Sequence, residues 1–266
     1  MTPLPRLMVA PNGARRGKSD HLALPVSNDE VIATALACQK SGADGIHLHL
    51  RDDHGEHLLS AAHYAALLDQ LAEKVPGMYL QVTSESAGRY SANQQRNMMR
   101  TLLPAHVSVA LREMVRSPDD WPEAQKFYHW AAENAVEIQH ILYSPQEVSA
   151  FVDALLTGKI PQNHHLIQLV QGTYADGDTA AVDLKRYLAA FDRADSHSFD
   201  WMLCAFGANE TKRLVDAALM GGKARAGFEN SLWHVDGSIA KDNAERIREV
   251  DAALRTAVPP LKVVNN

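Results

Sequence analysis

Short apolar runs alternate along the chain with longer stretches whose apolar residues recur every three or four positions. The runs are Leu7–Ala10, Gly45–Leu50, Met78–Thr83, Val107–Leu111, Val136–Leu142, His165–Val170, Phe199–Phe206 and Lys223–Phe228. Their length and their bounding turn residues predict strands. The stretches between them predict amphipathic helices. The first opens at Ser27, with Glu30 three residues on, a capping-box spacing, and stops at Gly42. The others are Leu58–Val75, Asn93–Leu103, Trp121–Asn134, Pro145–Leu156, Val182–Phe191, Glu210–Met220 and Ala240–Ala257. Ser144-Pro145 reads as N-cap followed by N1.

A strand-then-helix rhythm implies right-handed crossovers and a parallel sheet. About eight such units in 266 residues match a (β/α)8 TIM barrel, which takes about 250 residues. An open doubly wound sheet is the rival. It would carry a glycine-rich GxGxxG turn after its first strand, and Asn12-Gly13-Ala14-Arg15-Arg16-Gly17 is not one. We therefore expect residues 1–266 to form one catalytic barrel domain, with a short exposed tail after Val258.

Composition acts mainly by exclusion. Lys plus Arg number 26 and Asp plus Glu 32, a net charge of −6. That balance points away from nucleic acid and from membrane surfaces. There is no apolar run of about 18 residues to span a bilayer. Two distant cysteines, Cys38 and Cys204, offer neither a disulfide framework nor a thiolate metal site. The Met1–Ala10 start lacks a signal-peptide layout. A cytoplasmic protein is expected.

In a barrel the C-terminal ends of the strands carry the chemistry. Gly45-Ile46-His47-Leu48-His49-Leu50-Arg51-Asp52 is the strongest such cluster. Alternation puts His47, His49 and Arg51 on one side and Ile46, Leu48 and Leu50 on the other. The two imidazoles read either as a chelate for a divalent metal or as structural histidines. A catalytic zinc needs a third protein ligand, and Glu229, closing the last apolar run, suits it. Arg225 shares its strand face. An arginine in so small and apolar a strand meets an anion or sits in a structural ion pair.

Other predicted strand ends supply Asn12, Arg15, Arg16 and Lys18, then Thr83, Glu85, Ser86 and Arg89, then Arg112 and Glu113. The arginines are either merely solvated or form a rim for an anionic ligand. His140, Gln168 and Gln171 read as barrel packing, and His164-His165 opens a strand at the non-catalytic end.

Several stretches together resemble the β-keto acid cleavage enzymes. They are Pro11-Asn12-Gly13-Ala14, Leu24-Pro25-Val26, Ser41-Gly42-Ala43 with Ile46 to Asp52, Gln81-Val82-Thr83, Gly221 to Leu232, and Gly237 to Ala244. The resemblance runs in order along nearly the whole chain. It implies a (β/α)8 barrel with one zinc (Zn2+) per chain on His47, His49 and Glu229. It implies acetyl-CoA as co-substrate, a β-keto acid as substrate, an acyl-CoA and acetoacetate as products, and a homo-oligomer, dimer or tetramer. By matching position, Arg225 is the catalytic arginine and Thr83 a substrate-contacting hydroxyl. Asn12, Arg15, Ser86 and Glu113 are expected to contact substrate as well.

Departures matter. Asn230 stands where the family often has an aspartate, and it cannot ionise, so a base role there is in doubt. Arg15 stands where the enzyme for an aminated substrate has an acid. This predicts a neutral, polar or anionic keto acid. The alternatives are a metal-assisted lyase or hydrolase, aldolase-like or amidohydrolase-like, that does not use CoA, and a metal-free binding barrel.

Overall fold

A computed structural model of the protein describes residues 2–174 and 182–258. The chain begins with β1 (Leu7–Val9), α1 (Asn28–Lys40) and β2 (Gly45–Leu48). A small hairpin follows, β3 (Leu50–Arg51) with β4 (His57–Leu58), and then α2 (Ala61–Lys74). Next come β5 (Tyr79–Thr83), α3 (Ala92–Leu102), β6 (His106–Ala110), a one-turn α4 (Leu111–Met114) and α5 (Trp121–Glu133). The second half runs β7 (Glu137–Leu142), α6 (Pro145–Leu156), β8 (His164–Gln171), α7 (Leu184–Ala189), β9 (Ser198–Ala205), α8 (Glu210–Leu219), β10 (Lys223–Ala226) and α9 (Asn243–Ala257).

All strands except the β3–β4 hairpin close into one parallel barrel, in the order β1-β10-β9-β8-β7-β6-β5-β2. The seam runs through three-residue β1, where Met8 pairs Arg225 on one side and Gly45 on the other. This is the (β/α)8 architecture. The expected tail from residue 259 onward lies outside the described residues.

Strand alternation sorts the interior from the helix layer. Ile46, Val82, Val107, Leu142, Leu169 and Leu203 face outward and join Leu67, Phe127, Phe151, Leu214 and Ile247 of the helices in the main core. Inside, Leu4, Met8, Tyr79, Leu166 and Met202 plug the bottom. Ala110, Ile141, Val170, Cys204 and Phe206 form an apolar patch near the top. Between them lies a polar stratum that includes His47, Gln81, Gln139, Gln168 and Arg225, all buried.

Local chemistry explains the boundaries. Ser27 and Glu30 cap α1 reciprocally, as their spacing predicts. Gly42 leaves that helix at φ +108°. Two predicted elements shift. The run Gly45–Leu50 stops as a barrel strand at Leu48, because Leu50–Arg51 turns aside to pair antiparallel with His57–Leu58. That pairing also consumes the predicted start of the second helix. β10 ends at Gly227, whose φ of +138° and 2.5 Å virtual Cβ contact with the Ala10 carbonyl admit no side chain.

Candidate metal centre and active-site cavity

His47 projects from β2 into the barrel, and His49 follows one residue beyond the strand end. Their Nε2 atoms lie 3.1 Å apart. Glu229 enters from the turn after β10, and its Oε2 lies 3.9 Å from His47 Nε2 and 3.6 Å from His49 Nε2. Its other oxygen, Oε1, accepts from Arg225 Nη2 at 3.0 Å.

The turn is held in place from several sides. Glu229 N–H donates to the Ala10 carbonyl at 3.1 Å. Asn243 accepts from Phe228 N–H at 2.9 Å and donates to the Pro11 carbonyl at 3.0 Å. Gly13 must be glycine here, since a Cβ would stand 2.5 Å from Glu229 Cγ.

The donor set fits a divalent metal. Zinc–nitrogen bonds of about 2.0–2.1 Å in a tetrahedron give ligand–ligand edges of about 3.3–3.4 Å. The three distances between the donor atoms bracket that value. Glu229 Oε2 is buried with no hydrogen-bond partner, a costly state that a cation would relieve. Burial, helped by the Arg225 charge, lowers the His47 pKa to about 4. Burial and the His47 neighbour hold His49 well below the usual histidine value. Both rings are therefore neutral at neutral pH, as metal ligands must be.

Beside the triad opens a cavity of about 280 Å³. His47, Thr83, Glu85, Arg225 and Glu229 are among its polar lining, and Ala110, Ile141, Val170 and Phe206 supply apolar lining. Tyr143 and Tyr174 flank it, each with a cation against its ring. Arg112 lies 3.8 Å from the Tyr143 centroid and Arg15 lies 5.4 Å from that of Tyr174.

A family model described as beta-keto acid cleavage enzyme matches residues 6–261. The chain belongs to the β-keto acid cleavage enzyme family. It is accordingly an enzyme. Among curated relatives, a 3-oxoadipate:acetyl-CoA acetyltransferase from Cupriavidus necator is 24% identical over 270 residues, covering 97% of this chain and 91% of that protein. A 3-keto-5-aminohexanoate cleavage enzyme from Fusobacterium nucleatum is 22% identical, covering 90% and 86%. A 3,5-dioxohexanoate:acetyl-CoA acetone transferase from Paraburkholderia graminis is 24% identical, covering 91% and 86%. Among solved structures, ObcA with a C4-CoA adduct and oxalate aligns with a TM-score of 0.63 at 13% identity, covering 88% of this chain and 64% of that one. That likeness bears on the fold alone.

The fold of this family member distributes the predicted residues unevenly. His47, His49, Glu229 and Arg225 converge. Thr83, Arg15 and Glu113 line the cavity. Ser86 donates its hydroxyl to Glu113 Oε1 at 2.7 Å, and Glu113 Oε2 accepts from Ser86 N–H and from Gln95 Nε2. Glu113 sits on α4 rather than on a strand end. Asn12 spends its amide on the carbonyls of Pro25 and His49, at 3.1 and 3.2 Å. Asn230 is fully buried, and neither of its amide atoms has a partner among the described residues.

Arg51, expected beside the histidines, turns away because β2 ends before it. It donates instead to the carbonyls of Gly13, Arg16 and Gly55, clamping the loop after β1. The arginine rim also narrows. Arg16 bonds the Phe228 carbonyl at 2.6 Å, Lys18 pairs with Glu30 and Arg89 with Glu56. Among the described residues, the arginines that line the cavity are Arg15, Arg112 and Arg225. Arg112 is paired with Glu147, whereas Arg15 has no carboxylate within ion-pair distance among the described residues.

Two residues that the sequence offered without a role, Glu85 and Gln81, stand against the triad. Glu85 faces His49 Nε2 at 3.8 Å, and burial with the neighbouring Glu229 and Glu113 pushes its carboxyl up to about 7. A bound cation opposes that shift. Gln81 meets His47 Nδ1 at 2.8 Å. Its inward parity with Thr83 was the available signal.

Proposed function

We propose that this enzyme cleaves a β-keto acid with acetyl-CoA and releases an acyl-CoA and acetoacetate. The bond between the keto carbon and the α-carbon breaks. The two-carbon acid fragment joins the acetyl group, and the acyl remainder leaves on the CoA thiol. The observation that carries the reading is the buried His47–His49–Glu229 donor set on the wall of a small cavity, in a chain of this family. Two imidazoles and a carboxylate favour zinc. When bound there, such an ion supplies Lewis-acid polarisation of the substrate ketone.

The chain's own residues supply the rest. Arg225 fixes the Glu229 carboxylate through Oε1 and leaves Oε2 turned toward the histidines. Its buried charge also favours negative charge developing on the substrate. The Thr83 hydroxyl lines the same wall. Glu85 carries the one cavity-wall carboxylate with no side-chain hydrogen bond among the described residues, and it is placed to hold or move a proton beside His49. Asn230 cannot ionise and supplies no base. Glu113, Ser86 and Asn12 shape the loops that carry the wall. Arg15, a lining cation with no carboxylate partner among the described residues, meets a neutral polar or anionic substituent.

A cavity of about 280 Å³ accommodates a short keto acid with the thioester end, so the phosphates of CoA lie outside it. The family resemblance supports a homo-oligomer, dimer or tetramer, which light scattering of the purified protein tests.

The experiment is a panel of β-keto acids with acetyl-CoA and zinc, following acetoacetate. Cleavage independent of acetyl-CoA overturns the transferase reading. Absence of stoichiometric zinc overturns the metal. Faster turnover of an amino-substituted acid than of a dicarboxylic one overturns the role of Arg15.

A further inference from the structure

A line of side-chain hydrogen bonds leaves the candidate metal centre and crosses the barrel interior. His47 Nδ1 lies 2.8 Å from Gln81 Oε1. Gln81 Nε2 donates to Gln139 Oε1 at 2.9 Å, and Gln139 Nε2 donates to the Ile167 backbone carbonyl at 3.4 Å. His47 is 1% exposed and both glutamines 0%, so bulk water cannot replace a missing partner.

The far end sets the direction of the line. A backbone carbonyl only accepts, so Gln139 must present its NH2 to Ile167 and its oxygen to Gln81. Gln81 must then present its NH2 to Gln139 and its oxygen to His47. An oxygen at Nδ1 requires the proton there, and the lone pair falls on Nε2. That is the nitrogen turned toward His49 and Glu229. The imidazole is neutral throughout, and only the location of its one proton is at issue. The buried Tyr79 hydroxyl makes no hydrogen bond among the described residues and so does not set the Gln81 orientation.

We propose that Gln139, on β7 and with no hydrogen bond to a candidate metal ligand among the described residues, is a positioning residue that sets the His47 tautomer through Gln81 and so prepares Nε2 to bind the ion. This rests on the reading of His47, His49 and Glu229 as a metal site. Without Gln139, the Gln81 NH2 loses its acceptor. Flipping the amide satisfies it by donation to His47 Nδ1 and drives the proton onto Nε2, where it blocks ligation.

The test uses the full-length protein with two readouts. Long-range ¹H–¹⁵N NMR of labelled histidine in zinc-free protein reports which His47 nitrogen carries the proton. Chelator competition reports zinc affinity. Wild type is expected in the Nδ1–H form. Gln139→Leu is expected to shift toward Nε2–H and to bind zinc about 10–100-fold more weakly. Adding Gln81→Glu to that variant, which when ionised places a group that only accepts at His47, is expected to restore both the tautomer and the affinity at a pH where that carboxyl is ionised.

An unchanged tautomer in folded Gln139→Leu overturns the proposal. So does weakened zinc binding without a tautomer change, or failure of Gln81→Glu to rescue. If Gln139→Leu does not fold, Gln139→Met, which keeps the length and removes both polar atoms, is read the same way. A wild-type protein that binds no zinc overturns the metal reading instead, and the NMR measurement still decides whether the relay sets the tautomer.

Discussion

Glu229 sends its two oxygens in different directions, Oε1 to Arg225 and Oε2 to the histidines, and Gly13 makes that posture possible by having no side chain. An alanine at Gly13 would press on Glu229 Cγ at 2.5 Å and on the Tyr174 hydroxyl at 2.8 Å, from a φ of +62°. The left-handed backbone alone costs about 1–2 kcal/mol for a residue with a Cβ. Gly13→Ala is therefore expected to lower the melting temperature by a few degrees and to weaken metal binding as well. A melting curve with a chelator titration checks both, and unchanged affinity would show that Glu229 tolerates displacement. Glu85 makes a different kind of contribution. Its carboxylate holds no hydrogen bond among the described residues, so Glu85→Gln leaves the fold nearly unaltered. If Glu85 moves a proton, kcat falls by roughly 10²–10⁴ with little change in KM. Steady-state kinetics separate that outcome from a binding role, in which KM alone rises.

Helix α1 offers a titratable prediction of its own. Glu30 closes the capping box, accepting from Val26 N–H at 2.8 Å and Ser27 N–H at 3.0 Å. A hydrogen bond from Lys18, and then those backbone donors, hold its carboxyl down at about 2. A lowered folded-state value stabilises the protein above the ordinary carboxylate range, and the benefit disappears as pH falls toward 2. The pair is solvent-screened, so Glu30→Gln is expected to cost about 0.5 kcal/mol at pH 7, one or two degrees. The gap from wild type should close between about pH 4.5 and pH 2. A gap that widens with acid contradicts the assignment. The capping box was legible in the sequence because Val26, Ser27 and Glu30 lie within four residues of one another. Alternation likewise made His47 and His49 legible, since His47 lies in β2 and His49 follows directly after its last residue. It failed at Arg51, where pairing with His57 redirects the backbone. Gln139 was illegible for another reason. Its meaning depends on Gln81, 58 residues earlier, and only barrel closure makes the two neighbours. Ser86 and Glu113 looked like separate loop donors because nothing local reveals that they bond each other.

The candidate metal ligands come from the first and last parts of the barrel, His47 and His49 at the end of β2 and Glu229 after β10. Those strands flank β1, the three-residue strand at which the barrel closes. A bound ion would therefore bridge the closure seam from both sides of its shortest member. It would also join ligands 180 residues apart in sequence, which no unfolded chain holds together. Metal that binds only the folded state stabilises by mass action, about 2.7 kcal/mol when free metal is a hundredfold above Kd. For a chain of this size that is roughly 5–10 °C in melting temperature. Chelation is expected to lower the melting temperature by such an amount and added zinc to restore it. Loss of hydrogen-exchange protection should concentrate in β1, β2 and β10. His47→Ala should respond to neither treatment, because two remaining ligands do not hold the ion. If the chelator leaves wild type unmoved, or moves His47→Ala equally, the seam is closed by backbone pairing alone and these side chains carry no structural ion.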